Sequence, residues 1–249
     1  MPSRFLRRSG ISIVKITGWL DWQADCIVQA GIGLNGEEWE VMKEAWPNAK
    51  IIGFEPHPEI VNNAKKKYPG EVYQYALGDK IEKRTLYAKL RHKDGSSLYP
   101  HAEKKEDNQY PEFDVMVTTL DYFYDNVTEL GKKILLWLDC EGNELNVLKG
   151  SAHHFLNCVE MINIELTSNP PGTGWCDPVE THEWLNDHGF LCQWVHTNRS
   201  EAGQVDAVYV RPEIFKREHS CCPEQVRMWE KWKERKELME SMSKIVVED

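Results

Sequence analysis

CIVQAGIGLNGEE, residues 26–38, starts as an apolar run, breaks into three glycines and continues as acidic, helix-like sequence. A strand that ends in Gly31-x-Gly33-x-x-Gly36 and hands the chain to a helix is the pattern of a nucleotide-cradling loop. Glycines let the backbone come close to a ligand, and the helix that follows opens with unbonded N–H groups and the positive end of its dipole. The same loop geometry serves NAD and S-adenosylmethionine, and the glycines alone do not choose between them.

The flanking sequence places this loop in a larger pattern. GEEWEVMKEAW (36–46) has helical spacing through Trp39, Met42 and Trp46, and KIIGFE (50–55) reads as a second strand. EIVNNAKKK follows Pro56 and Pro58 as a helix with proline in its first turn, and EVYQYAL (71–77) reads as a third strand. The order βαβαβ is the nucleotide-binding half of a doubly wound sheet. Glu55 closes the second strand about 20 residues past the glycines, where a carboxylate accepts hydrogen bonds from both ribose hydroxyls.

The second half is also strand-rich. RTLYAKL and VMVTTLDYFYDN flank a polar loop at 91–112, a length that reads as a functional lid or a disordered segment. KILLWLD (133–139) is continuously apolar, as a strand covered on both faces should be, and runs into the helix-like CEGNELNVLKG. MINIELT (161–167), the helix PVETHEWLNDHG (178–189) and the strands FLCQWVH and VDAVYVR complete the pattern. In the tail, Val226, Trp229, Trp232, Met239 and Met242 share one side of an amphipathic helix. That side packs on its own domain or forms a homodimer contact. Three segments are expected: an N-terminal extension (1–25), an α/β domain (26–212) and a helical extension (213–249).

Composition excludes several function classes. The 249 residues carry a formal net charge of -10, which argues against gripping nucleic acid through its phosphates. Mean hydropathy is -0.57 and no apolar stretch approaches a bilayer-spanning length, so no membrane partner is expected. Seven cysteines, an odd number with no C-x-x-C pair, read as small buried thiols in a reducing cytoplasm, not as a disulfide framework or zinc site.

Chemistry concentrates at the ends of the central strands. Asp139 ends the 133–139 strand, at the sheet edge where open α/β folds bind their ligands. It could bind an ammonium, a substrate hydroxyl or a metal, or cap the helix near Gly142. Glu141 and Glu144 suit the first turn of that helix, and Glu165 lies inside INIEL.

The ordered series QAGIGLNG, IIGFEPHP, YALGD, GSSLY, VTTLDYF, LLWLDCEGNELNVLKG and INIEL resembles the FkbM family of S-adenosylmethionine-dependent methyltransferases. The similarity runs over roughly residues 26–210. It implies a Rossmann-like fold with a seven-stranded, mostly parallel sheet, one antiparallel strand near an edge and helices on both faces. It also implies O-methylation of a hydroxyl on a sugar, glycan-like or other small-molecule acceptor. Carried over by position, Gly31, Gly33 and Asn35 surround the methionine and ribose, Glu55 holds the ribose diol, and Ala76, Leu77 and Asp79 flank the adenine. Ser97 and Asp139 line the reactive side. One position departs: the fold usually has Asp or Glu two residues before the first glycine, and here it is Gln29. Glutamine lacks the charge that favours the methionyl ammonium, so Gln29→Glu is expected to tighten binding.

An alcohol attacks a methyl sulfonium poorly until a general base removes its proton. Asp139, Glu141 and Glu165 are the candidates. Mg²⁺ shared by Asp139 and Glu165 has no evident third ligand, and no metal site is assigned. SNPPG (168–172) imitates an amino-methyltransferase motif but has glycine in the aromatic position and follows a later strand. Two other readings stay open: an NAD-dependent oxidoreductase using the same glycines and Glu55, and a cofactor-binding protein without turnover.

Overall fold

The structure, a computed structural model, describes residues 21–33, 37–88, 95–100, 111–126, 130–167, 174–197 and 203–214, and within the tail residues 229, 230, 232–234, 236 and 237. Asn35, Gly36, most of the 91–112 loop and the SNPPG loop lie outside the described residues.

Its core is a seven-stranded sheet. The strands are β1 (Cys26–Ala30), β2 (Lys50–Phe54), β3 (Glu71–Tyr73), β7 (Ile134–Leu138), β8 (Val159–Thr167), β9 (Leu191–Thr197) and β10 (Gln204–Val210), in the order β3-β2-β1-β7-β8-β10-β9. All neighbouring pairs are parallel except those of β10, which runs antiparallel to β8 and to the edge strand β9. This is the expected sheet with its single reversed strand beside one edge. β1 and β7 are buried at every residue because helices cover both faces.

One face packs Val28, Leu136, Ile162 and Ala207 against α3 (Leu120–Asn126), α4 (Glu144–Lys149) and α5 (Pro178–Asp187). The other packs Ile27, Leu135, Trp137 and Val208 against α1 (Glu37–Ala45) and the end of α2 (Pro58–Ala64). The alternation follows from the two-residue period of a strand. Single buried side chains on such faces are each worth about 1.5–3 kcal/mol.

Three differences from the sequence reading matter. EVYQYAL does not form one strand: β3 stops at Tyr73, and β4 (Ala76–Leu77) joins a separate three-stranded sheet with β6 (Glu112–Thr118) and β5 (Glu82–Tyr87). That sheet has its own small core of Ala76, Leu86, Leu98, Val115 and Val117. The helix expected from CEGNELNVLKG starts only at Glu144, because Glu141 and Gly142 take positive φ (49° and 96°) and cannot continue a right-handed helix. Asp139 therefore does not cap it.

In the tail, Trp229 stacks on His182 of α5 at 4.2 Å between ring centroids, and Trp232 joins the first core. Lys233 and Lys236 pair with Glu183 and Asp177. The described tail residues thus pack on their own chain, and nothing in them speaks for the homodimer contact. No helix among the described residues is long and apolar enough to cross a membrane.

Arg211, just past β10, joins several elements. Its guanidinium donates to the carbonyls of Val159 (3.1 Å), His188 (2.8 Å) and Leu156 (2.8 Å) and lies over the Phe190 ring. Arg211→Met would strand three carbonyls, and chemical denaturation is expected to show a loss of about 2–4 kcal/mol.

Candidate cofactor and acceptor site

The site follows from one row of the sheet. Phe54, Ala30, Leu138, Ile164, Ala207 and Val195 are mutual register partners across β2, β1, β7, β8, β10 and β9. All six lie in the first core. One residue further toward the C-terminal edge come Glu55, Gly31, Asp139, Glu165, Asp206 and His196. The ladder carries into this row: Gly31 N–H donates to the Phe54 carbonyl (2.9 Å) and Asp139 N–H to the Ala30 carbonyl (3.0 Å). Sheet geometry, rather than loop chance, sets the acids side by side.

Gly31 shows why the loop needs glycine. Its φ is +82°, and a Cβ there would lie 1.9 Å from the Asp139 carbonyl oxygen. Gly33 also has a positive φ, +67°. Beside them Glu55 is buried (4% exposed) and spans two turns, its Oε2 accepting from Ile32 N–H (3.3 Å) and its Oε1 from His57 N–H (2.8 Å).

Gln29 faces inward. It is fully buried, and its amide bonds the Gly31 carbonyl (3.1 Å), Glu38 Oε2 (2.5 Å) and the Tyr68 hydroxyl (3.0 Å). Its side chain supports the glycine loop from beneath. The expected gain from Gln29→Glu has no physical basis in this setting, because the new carboxylate would stand against Glu38 and a carbonyl oxygen.

The loop after β7 is tied to the second sheet. Ser97 Oγ donates to the Glu141 carbonyl (2.7 Å), and Tyr99 hydroxyl to Asn143 Oδ1 (3.0 Å). Asn143 Nδ2 donates in turn to the Leu77 carbonyl (2.7 Å). Glu144 folds back on its own loop, Oε1 accepting from Cys140 N–H (2.9 Å) and Gly142 N–H (3.1 Å), and burial pushes its carboxyl up to about 7. Of the expected adenine neighbours, Ala76 and Leu77 bury their side chains in the cores, and Asp79 is exposed.

Asp139, Glu165 and Asp206 form the distinctive part. Burial raises the Asp139 carboxyl well above its usual range, reinforced by Glu165, Glu38 and Glu141. Burial and then neighbouring Asp206 push Glu165 up to about 8, against a hydrogen bond from Gln204. Burial alone raises Asp206 to about 6; it is 6% exposed, and its Oδ2 has no hydrogen-bond partner. Glu165 and Asp206 are direct cross-strand partners, so their side chains share a face. No group of three or more His, Cys, Asp or Glu among the described residues could hold a metal ion.

The sequence reading had Asp139, Glu141 and Glu165 at this edge and missed Asp206 and Glu38. A lone acid in the apolar run VDAVYVR was the available signal for Asp206. Glu38 carried none, since an acid in a first helical turn needs no further reason.

A family model described as the methyltransferase FkbM domain matches residues 25–192, and the chain belongs to that family. No match is found among curated protein sequences. Among solved structures, a magnesium protoporphyrin IX methyltransferase from Synechocystis is similar at 12% identity and TM-score 0.43, over 81% of this chain and 79% of that one. A SAM-dependent methyltransferase from Aquifex aeolicus is 15% identical at TM-score 0.43, over 84% and 93%. Fibrillarin from Aeropyrum pernix, in complex with natively bound S-adenosyl-L-methionine, is 10% identical at TM-score 0.47, over 82% and 75%. These likenesses are too distant to bear on chemistry.

The Glu165 carboxyl gives a pH signature. With its folded value raised to about 8, its contribution to stability is complete below the ordinary value of 4.5 and is lost as pH rises through about 8. The melting temperature is expected to fall over that window. Glu165→Gln, which cannot ionise, should flatten the fall by roughly a few degrees in a thermal-unfolding series.

Proposed function

We propose that this chain is an S-adenosylmethionine-dependent O-methyltransferase acting on a hydroxyl of a sugar or another small metabolite. The observation that carries the reading is the run of carboxyls Asp139, Glu165 and Asp206 continuing directly from the glycine loop along one row of the sheet. Membership of a methyltransferase family supports methyl transfer, and the acids supply what an alcohol acceptor requires.

The residues fit the cofactor. Only a glycine at position 31 lets the loop pass against the Asp139 carbonyl, and the Glu55 carboxylate beside it would accept from a ribose diol. Gly33 would lie beside the methionine end and the backbone of the Ala76–Asp79 turn beside the adenine; Asn35, the further residue the resemblance implies, lies outside the described residues. When bound, the cofactor supplies an electrophilic methyl group on a sulfonium.

The chain's part is alignment and proton handling. Ser97 fixes the backbone at Glu141 and so the exit of the chain from β7. Asp139 would orient the acceptor hydroxyl beside the loop, and the Glu165–Asp206 pair would take up the hydroxyl proton. A base tuned toward neutrality is effective at this, typically by about 10²–10⁴-fold, and in-line alignment contributes several kcal/mol, on the order of 7–11 at best. The α/β domain is 26–212 with the tail as an extension, and a reducing cytoplasm suits the free thiols of Cys26, Cys140, Cys158 and Cys176.

The test is incubation with methyl-labelled S-adenosylmethionine and a panel of sugars and cell metabolites. The expected product is a methyl ether, stable to base, with Glu165→Gln and Asp206→Asn each slowing formation about 10²-fold or more. A base-labile methyl ester, or a methylamine, would contradict hydroxyl transfer.

A further inference from the structure

Gln29 stands where a carboxylate was expected, and its contacts show where that charge has gone. Both faces of the amide are committed. The Nε2 group bonds two acceptors, the Gly31 carbonyl and Glu38 Oε2, while Oε1 takes the Tyr68 hydroxyl. Burial raises the Tyr68 hydroxyl, which holds its proton and donates. A residue at position 29 must therefore donate on one side and accept on the other, and only an amide of this length does both. A carboxylate would meet Glu38 and a carbonyl oxygen with no proton to offer either.

Glu38 is half-buried in the first turn of α1, the helix the glycine loop opens into. The helix dipole favours its ionised form there. Its negative charge reaches Asp139 on the other side of Gly31, where it helps to raise that carboxyl. Gly31 is thus flanked by Glu38 on the helix side and Asp139 on the strand side, with its own carbonyl between. An ammonium group has three N–H donors and no acceptor, and a cluster of acceptors with net negative charge complements it.

We propose that Glu38 provides the negative charge that binds the ammonium of the cofactor's amino-acid end, and that Gln29 is the positioning residue that holds Glu38 against the glycine loop. This rests on the cofactor reading above. The loss of charge at position 29 is then a relocation of nine residues, from the strand to the first turn of the helix after the loop, and the chain keeps the charge that an amino-acid-bearing nucleoside needs.

The test compares two ligands by calorimetric titration: S-adenosylhomocysteine, and 5′-methylthioadenosine, which keeps the nucleoside and sulfur but has no amino-acid end. Glu38→Gln should weaken S-adenosylhomocysteine about 10-fold or more and leave methylthioadenosine unchanged. Gln29→Glu should weaken S-adenosylhomocysteine, and the exchanged pair Gln29→Glu with Glu38→Gln should recover part of the loss. The ratio of the two affinities within one variant cancels any unfolded fraction. Equal weakening of both ligands by Glu38→Gln would reduce Glu38 to a structural role, and an unchanged S-adenosylhomocysteine affinity would remove it from the site; either overturns the proposal. A wild-type chain that binds neither ligand would defeat the cofactor reading itself.

Discussion

The site depends on one close approach: the backbone of Gly31 lies against the carbonyl of Asp139, with room for hydrogen but not for a methyl group. The β1–β7 ladder draws these two strand ends together, and the bond from Asp139 N–H to the Ala30 carbonyl holds them. Because the strands are parallel and in register, their next residues fall in a single row, so the turn that admits a ligand also lines it with acids. A side chain at position 31 would separate the strands where they must touch. The positive φ adds a conformational cost for any residue but glycine.

From that contact the site divides electrostatically. Glu55 accepts from two backbone donors, the N–H groups of Ile32 and His57. Glu165 and Asp206 have each other across the strands and too few donors, and burial raises both. Carboxyls of one chemical type thus sit in two environments, hydrogen-bonded to backbone donors on the β2 side and packed against another carboxyl on the β8–β10 side. The separation lies along the sheet, with the glycine loop between them.

Most of the fold was legible because it is written in local patterns. Continuous apolar runs marked the buried strands, and the alternation of strands and helices dictated a doubly wound sheet. The second sheet was missed because the break at Gln74–Tyr75 breaks no rule of strand composition, and its partner β6 comes from beyond the long loop. The positions of Gly31, Glu55 and Asp139 just past strand ends were readable since each follows directly on an apolar run. Gln29 was misread because its partners, Glu38 and Tyr68, are 9 and 39 residues away and only packing brings them together. Asp206 was passed over for a similar reason: its meaning lies in the cross-strand neighbour Glu165.

The account stands most directly on where a nucleoside binds. A crystal structure with S-adenosylhomocysteine should show the ribose diol hydrogen-bonded to the Glu55 carboxylate, the sulfur above Gly31, and its open side toward Asp139 and Glu165. A ligand seated elsewhere, or one whose ribose makes no contact with Glu55 while the sulfur faces away from the acid row, would contradict it.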